Sequence, residues 1–267
     1  MTDAPVLVHR EGPIALVTLN EPATRNAVSA PVVEALVAFL EGANADDSLG
    51  CIVLTGAGES FCSGGNVKEM RDGTNAIFAG KPHQMQEAYR RSIQRIPTLF
   101  HTLDVPAIAA VNGTAIGVGM DLACMCDIRL ASPEARFAES FLRVGLISGD
   151  GGAWYLPRIL GYAKAIELAL TCKVLDGAEA EKWGVVSRVV PHDQLLPEAM
   201  ALARQITSFP PKSVRLNKRL IRQSMEANLS ASLEMAAAYQ AIVQSSADQR
   251  EAVAALLEKR KPVYQGA

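Results

Sequence analysis

The sequence contains no Cys-x-x-Cys pair, and its five cysteines, at 51, 62, 124, 126 and 172, are an odd number. Its four histidines are scattered, so no zinc spacing forms and no metal is expected. This usage fits reduced thiols in a cytoplasmic compartment. Charge of one sign is not in excess: 26 Lys and Arg stand against 28 Asp and Glu, a net charge of -2. A basic face that would grip nucleic acid is therefore not expected. No apolar run reaches the roughly 18 residues of a membrane span. The opening residues Met1-Thr2-Asp3-Ala4-Pro5 lack a basic stretch before an apolar core, so no signal peptide is expected.

Two catalytic motifs are also missing. No Gly-x-Ser-x-Gly occurs, which removes the hydrolase nucleophile elbow. Gly117-Val118-Gly119 is followed by Leu122 where a dinucleotide fingerprint has its third small residue.

The 267 residues, 49% hydrophobic and 20% charged, suit one large domain or a domain with an appendage. The chain is organised around Ile108 to Asp127. A short apolar run, Ile108 to Val111, ends at the turn signal Asn112-Gly113. Gly117 and Gly119 bracket a tight loop, and a helical pattern follows from Met120. Unpaired backbone N–H groups at such a helix start favour negative charge, whether a phosphate or an oxyanion formed during a reaction.

The segment Phe61-Cys-Ser-Gly-Gly-Asn-Val-Lys-Glu-Met70 repeats that grammar of strand, glycines and helix start. Two such units predict a coil of β-β-α repeats with parallel sheets. Gly145 to Gly152 is a third glycine loop and holds Asp150. A hairpin is expected over Val6–His9 and Ile14–Leu19, a helix capped by Ser29, a loop at 72–82, one long helix from His83 to Leu103, and a last strand from Val185 to Val190. From Pro191 onward the pattern is almost wholly helical. Residues 1–200 read as a core and 201–267 as a helical oligomerisation region.

Several acids have two readings each. Asp121, in the first turn of a helix, serves either the dipole or chemistry. Asp150 is either a cap or a reactive group. Glu139 reads as a solvated surface acid. Cys62 and Ser63 read as small residues filling a turn, and the thiols of Cys124 and Cys126 as core.

Taken together the stretches resemble the crotonase (enoyl-CoA hydratase/isomerase) superfamily. The matches are Asn20-Glu-Pro-x-x-Arg-Asn-Ala27, Ile52 to Gly56, Phe61 to Met70, Pro106 to Asp127, Arg136-Phe-Ala, Val144 to Gly152, Leu156-Pro-Arg, Ala178 to Val186 and Glu258 to Pro262. The resemblance implies an α/β fold, a crotonase-like spiral of β-β-α repeats with a helical C-terminal region. It implies homotrimers or dimers of trimers acting on acyl-CoA thioesters in fatty-acid or aromatic-acid breakdown. No separate cofactor is implied, because coenzyme A is part of the substrate.

By position, the backbone amides of Gly65 and Val118 fall where the family polarises the thioester carbonyl. Arg25, Ala27, Ser63, Lys68, Gly117, Phe141 and Lys259 fall among substrate and CoA contacts, Lys259 from a neighbouring subunit. The family hydratases use two glutamates; the first falls on Asp121 and the second on Phe141, which cannot carry a proton. Family isomerases place an acid at the position of Gly149, one before Asp150. The expectation is proton transfer by Asp121 or Asp150, in hydration of a 2-enoyl-CoA or in double-bond isomerisation. The alternative is a non-catalytic acyl-CoA binder or oligomeric scaffold.

Overall fold

In each turn of the chain, one strand joins a large sheet, the next joins a small sheet, and a helix returns. This is visible in a computed structural model that describes residues 4–266, so the N-terminal reading of Met1-Thr2-Asp3 lies outside the described residues. β1 (Val6–Glu11) and β2 (Ile14–Leu19) form the expected antiparallel hairpin, and α1 (Ala30–Ala43) follows. Two coils come next. The first is β3 (Cys51–Gly56), β4 (Ser60–Cys62), α2 (Val67–Asp72), α3 (Pro82–Arg91) and α4 (Arg95–Thr102). The second is β5 (Ala107–Val111), β6 (Thr114–Ile116) and α5 (Val118–Met125).

A third coil holds β7 (Ile128–Ala131), β8 (Arg136–Ala138), α6 (Gly152–Leu160), α7 (Tyr162–Thr171), β9 (Leu175–Asp176) and α8 (Gly177–Trp183). β10 (Arg188–Val189) and α9 (His192–Thr207) lead to α10 (Pro211–Ser224), α11 (Leu229–Gln244) and α12 (Ala247–Glu258). The large sheet has the order β1-β2-β3-β5-β7-β10 and the small one β4-β6-β8-β9. β3, β5 and β7 pair in parallel in the first, and β4, β6 and β8 in the second. This is the α/β spiral that the resemblance implies.

Strands β3 and β5 are buried at every residue, which is why they read as unbroken apolar runs. Their alternation divides the interior in two. Ile52, Leu54, Ala107, Ala109 and Val111 face the main core with α1 and α5. Cys51, Val53, Ile108 and Ala110 face α9 through Leu195, Ala199, Met200 and Ala203. Successive coils are tied by Asn112, whose amide donates to the carbonyls of Gly56 (3.0 Å) and Gly58 (2.9 Å).

The helices beyond α9 are fastened by charge more than by apolar packing. Arg219 and Arg222 of α10 both bind the Asp104 carboxylate. Lys218 bridges to Asp127 at 2.6 Å, and Arg215 donates to the carbonyls of Asn44 and Leu49. Burial raises the Asp104 pKa, but the bonds from Arg219 and Arg222 outweigh it and hold the carboxyl below its usual range.

Three local expectations are corrected. The helix expected over 83–103 breaks at Ser92, where φ is -119° and ψ is -102°. Pro97 cannot donate to the carbonyl of Ile93, so a continuous helix would lose a bond there. The last strand shrinks to two residues, because the amides of Val185 and Val186 turn back to the Ala180 carbonyl at the end of α8. Ser29 does not cap α1 with its side chain; its hydroxyl bonds the Glu21 carboxylate at 3.2 Å.

Candidate active site

Two glycine loops at the strand ends of adjacent coils open on one cavity of about 330 Å³. In the first loop, Gly64 takes φ +105°, and its carbonyl accepts the Val28 N–H at 2.8 Å. This leaves Gly65 bridged to Val28 and facing the cavity. Asn66 then caps α2 by accepting the N–H groups of Lys68 and Glu69.

In the second loop, Gly117 takes φ +54° and ψ -122° and donates its N–H to the Ala138 carbonyl at 2.8 Å. Because Gly117 absorbs the unusual dihedrals, Val118 enters α5 in ordinary helical conformation. As the first residue of that helix, its N–H has no intrahelical acceptor. Gly64 and the Ile116 carbonyl approach so closely that a Cβ at 64 would lie 2.9 Å from that oxygen, so the two loops sit edge to edge.

The first loop is braced from behind. The Ser63 N–H donates to the Arg25 carbonyl (3.0 Å), and the Ser63 hydroxyl to the Thr24 carbonyl (3.1 Å). Arg25 and Asn26 both adopt positive φ, and the Asn26 amide donates to the carbonyls of Ala57 and Ser60. Arg25 and Lys68 extend into solvent, whereas Ala27 is buried beneath the loop. Lys259 ends α12 and does not line this cavity.

Three carboxyls converge below the second loop. Asp121, Glu139 and Asp150 are all buried, at 0%, 1% and 7% exposure. Among the described residues, neither oxygen of Asp121 or Glu139 completes a hydrogen bond, nor does Oδ1 of Asp150. Only Asp150 lines the cavity; Asp121 and Glu139 stand behind it. The surface reading of Glu139 is therefore overturned. Glu139 directly follows the fully buried Phe137 and Ala138 of β8, and that apolar pair is the signal the sequence carried.

Burial drives the Asp121 pKa well above the carboxylate range, and the charges of Glu139 and Asp150 add to it; the Gly152 N–H pulls weakly the other way. Desolvation thus outweighs the start of α5. Burial likewise lifts Glu139 to about 7, against the opposing pull of Ser148 and Asp121. Burial alone lifts Asp150 to about 6. Asp150 is not a cap, since the N-cap position of α6 is Gly151 and no side chain caps the helix.

Apart from Arg143 and the serines at 63 and 140, the remaining wall is apolar. Phe141 stands over Gly117, its ring carbons 3.6 to 3.8 Å from where a Cβ there would be, and Leu146, Ile77 and Phe78 complete it with Tyr89. Tyr89 went unnoticed in the sequence because α3 carries no local chemical motif; its ring packs against Gly149, and the charge of Asp150 adds to the burial that raises its pKa. The loop is held from the other side by Gln94, which donates to the Gly149 carbonyl at 3.0 Å.

Two larger hollows, of about 610 and 720 Å³, lie under α10 and between α10 and α11. Neither contains the glycine loops or the three buried acids, so the smaller cavity is the chemically equipped one.

Comparison with known proteins agrees with this geometry. The family model described as enoyl-CoA hydratase/isomerase matches residues 9–267. A probable enoyl-CoA hydratase of Rhizobium meliloti (strain 1021) is 37% identical, with 97% of each chain covered. A 1,2-epoxyphenylacetyl-CoA isomerase of Escherichia coli (strain K12) is 33% identical, with 98% of each chain covered. The crystal structure of enoyl-CoA hydratase from Bacillus anthracis superposes with a TM-score of 0.91 at 31% identity, covering 98% of this chain and 100% of that one. With its two glycine loops, its spiral and a match that runs almost end to end, the chain belongs to the enoyl-CoA hydratase/isomerase family.

Proposed function

We propose that this enzyme moves a proton beside the carbonyl of an acyl-CoA thioester, shifting a double bond, with Asp150 as the group that carries the proton. The observation that supports this most is that Asp150 alone, of the three buried acids, faces the cavity shared by Gly65 and Val118. The thioester oxygen sits between those two amides. As a proton leaves C2 of a 3-enoyl-CoA, the electron pair spreads onto that oxygen and the two N–H groups stabilise the enolate. Loss of one such donor typically costs roughly 10²–10³ in rate. Asp150 takes the proton as a carboxylate and returns it at C4, giving the 2-enoyl thioester. Its pKa near 6 leaves it ionised yet basic near neutral pH.

Hydration needs a second acid–base group to activate water. Phe141 occupies the position where the resemblance puts that glutamate, and Asp121 lies behind the cavity wall. The similarity to a 1,2-epoxyphenylacetyl-CoA isomerase, and the apolar wall of Phe141, Phe78 and Tyr89, support a substrate with a bulky or cyclic tail from fatty-acid or aromatic-acid breakdown. The exposure of Arg25 and Lys68 supports a contact with the CoA phosphates, with Lys259 supplied by a second copy. Leu229, Leu233, Leu256 and Leu257, all exposed, support assembly as a trimer or dimer of trimers.

Incubating the enzyme in D2O with a 3-enoyl-CoA and, separately, a 2-enoyl-CoA tests the reading. Isomerisation with deuterium entering the acyl chain is expected; turnover of the 2-enoyl substrate alone, by uptake of water, overturns it. The second reading, a non-catalytic acyl-CoA binder, requires that Asp150→Asn leave every measurable turnover unchanged.

A further inference from the structure

We infer that Asp121 and Glu139 share a proton as a carboxyl pair behind Asp150, and that the pair stays protonated while Asp150 carries the charge at the cavity. The inference rests on the proposed role of Asp150 and deepens it.

Its basis is geometric. Gly152, at the start of α6, has no side chain, and the space a Cβ would fill is ringed by oxygens. Ser148 Oγ would lie 2.6 Å from that Cβ and Glu139 Oε1 2.7 Å, and Asp121 Oδ1 would lie nearer still. Two carboxyls from different coils, one on α5 and one just beyond β8, are thus brought to a single point inside the protein.

Neither has a hydrogen-bonding partner among the described residues, and both are essentially inaccessible to solvent. Two neighbouring buried carboxylates without a cation cannot both stay ionised, so the pair holds at least one proton.

The surroundings offer no countercharge. Cys62 of β4 and Cys124 of α5 flank the pair, and burial lifts both thiols to about 12, so they are neutral. Ser148 and the Gly152 N–H supply dipoles only, and Tyr89 of α3 faces Asp150 as a neutral phenol. Arg129 of β7 is engaged with the carbonyls of Cys126 and Val185. The remaining charge that the pair senses is that of Asp150. The negative charge of Asp150 favours the protonated pair. Glu139 and Asp121 touch no part of the cavity, so they are positioning residues.

Infrared spectroscopy of the unliganded wild-type enzyme at pH 7, with 13C-labelled Glu to separate Glu139 from the aspartates, tests the pair without any turnover. Failure of the pair is thereby distinguishable from failure of the proposed reaction. A protonated-carboxyl band that shifts in Glu139→Gln is expected; its absence at pH 7 overturns the inference, whether or not the variants fold. In Asp150→Asn, which removes the charge facing the pair, loss of that band on raising the pH should begin about one pH unit lower than in the wild type. A folded Asp150→Asn protein whose band titrates as in the wild type overturns the link to Asp150.

Discussion

The Gly117 N–H donates to the Ala138 carbonyl at 2.8 Å, and the residues that follow each of these two, Val118 and Glu139, are fixed by that one bond. It joins the cavity's second amide to the acid pair behind it. Gly117→Ala should disturb both, since φ +54° with ψ -122° is a region that side chains avoid. A stability loss of about 1–3 kcal/mol is expected, together with a fall in kcat/KM of roughly 10²–10³ if the Val118 amide leaves its place. Chemical denaturation and steady-state kinetics on the same variant check the two effects.

Asp150→Asn should lower the rate of proton transfer by roughly 10²–10⁴ while leaving thioester binding intact. The same change should stabilise the unliganded protein at alkaline pH. In the wild type the folded-state pKa is raised, to about 6, so stability is full below the unfolded carboxylate value and declines as pH climbs through 6. The asparagine removes that decline, a gain on the order of 3 kcal/mol at pH 8. Thermal melts at pH 4 and pH 8 should show the variant ahead only at pH 8.

Phe141→Ala should widen the wall beside Gly117. Selectivity in kcat/KM should swing toward longer or branched acyl chains by roughly 10-fold or more, the usual worth of a methylene or two in an apolar pocket. A chain-length series of CoA thioesters measures it, and an unchanged order of preference would show that Phe141 does not bound the acyl site.

Asp104→Asn should loosen α10 by removing the carboxylate that Arg219 and Arg222 share. Charged hydrogen bonds of this kind are each worth about 1.5–3 kcal/mol. Because the Asp104 pKa is depressed in the fold, its contribution is present above the unfolded carboxylate value and disappears as pH drops through the folded one. Hydrogen exchange in α10 to α12 should therefore accelerate in the variant at pH 7, and in the wild type only under acid.

Much of this was legible in the residues. Unbroken apolar runs announced β3 and β5, and the two strand–glycine–helix stretches were visible as such, while Gly65 and Val118 within them were named by the family resemblance alone. Asp150 was visible as an acid inside a glycine loop. Glu139 was not recognised, because a carboxyl looks solvated unless the apolar Phe137-Ala138 before it is read as carrying the buried strand past the end of β8. The ranking of Asp121 against Asp150 was equally hidden, since it depends on which acid a cavity reaches, a property of how three coils stack. The break at Ser92 turns on a proline five residues downstream, which the helical pattern of 83–103 overrides when read by periodicity alone.

Gly152 has a further consequence for how this site can diverge. Because Ser148, Asp121 and Glu139 all crowd the space beside its α-carbon, even a methyl group there obliges their side chains to turn away. Positions 121, 139, 148 and 152 are therefore coupled, and an alanine at 152 is expected to pull the neighbouring carboxyls apart.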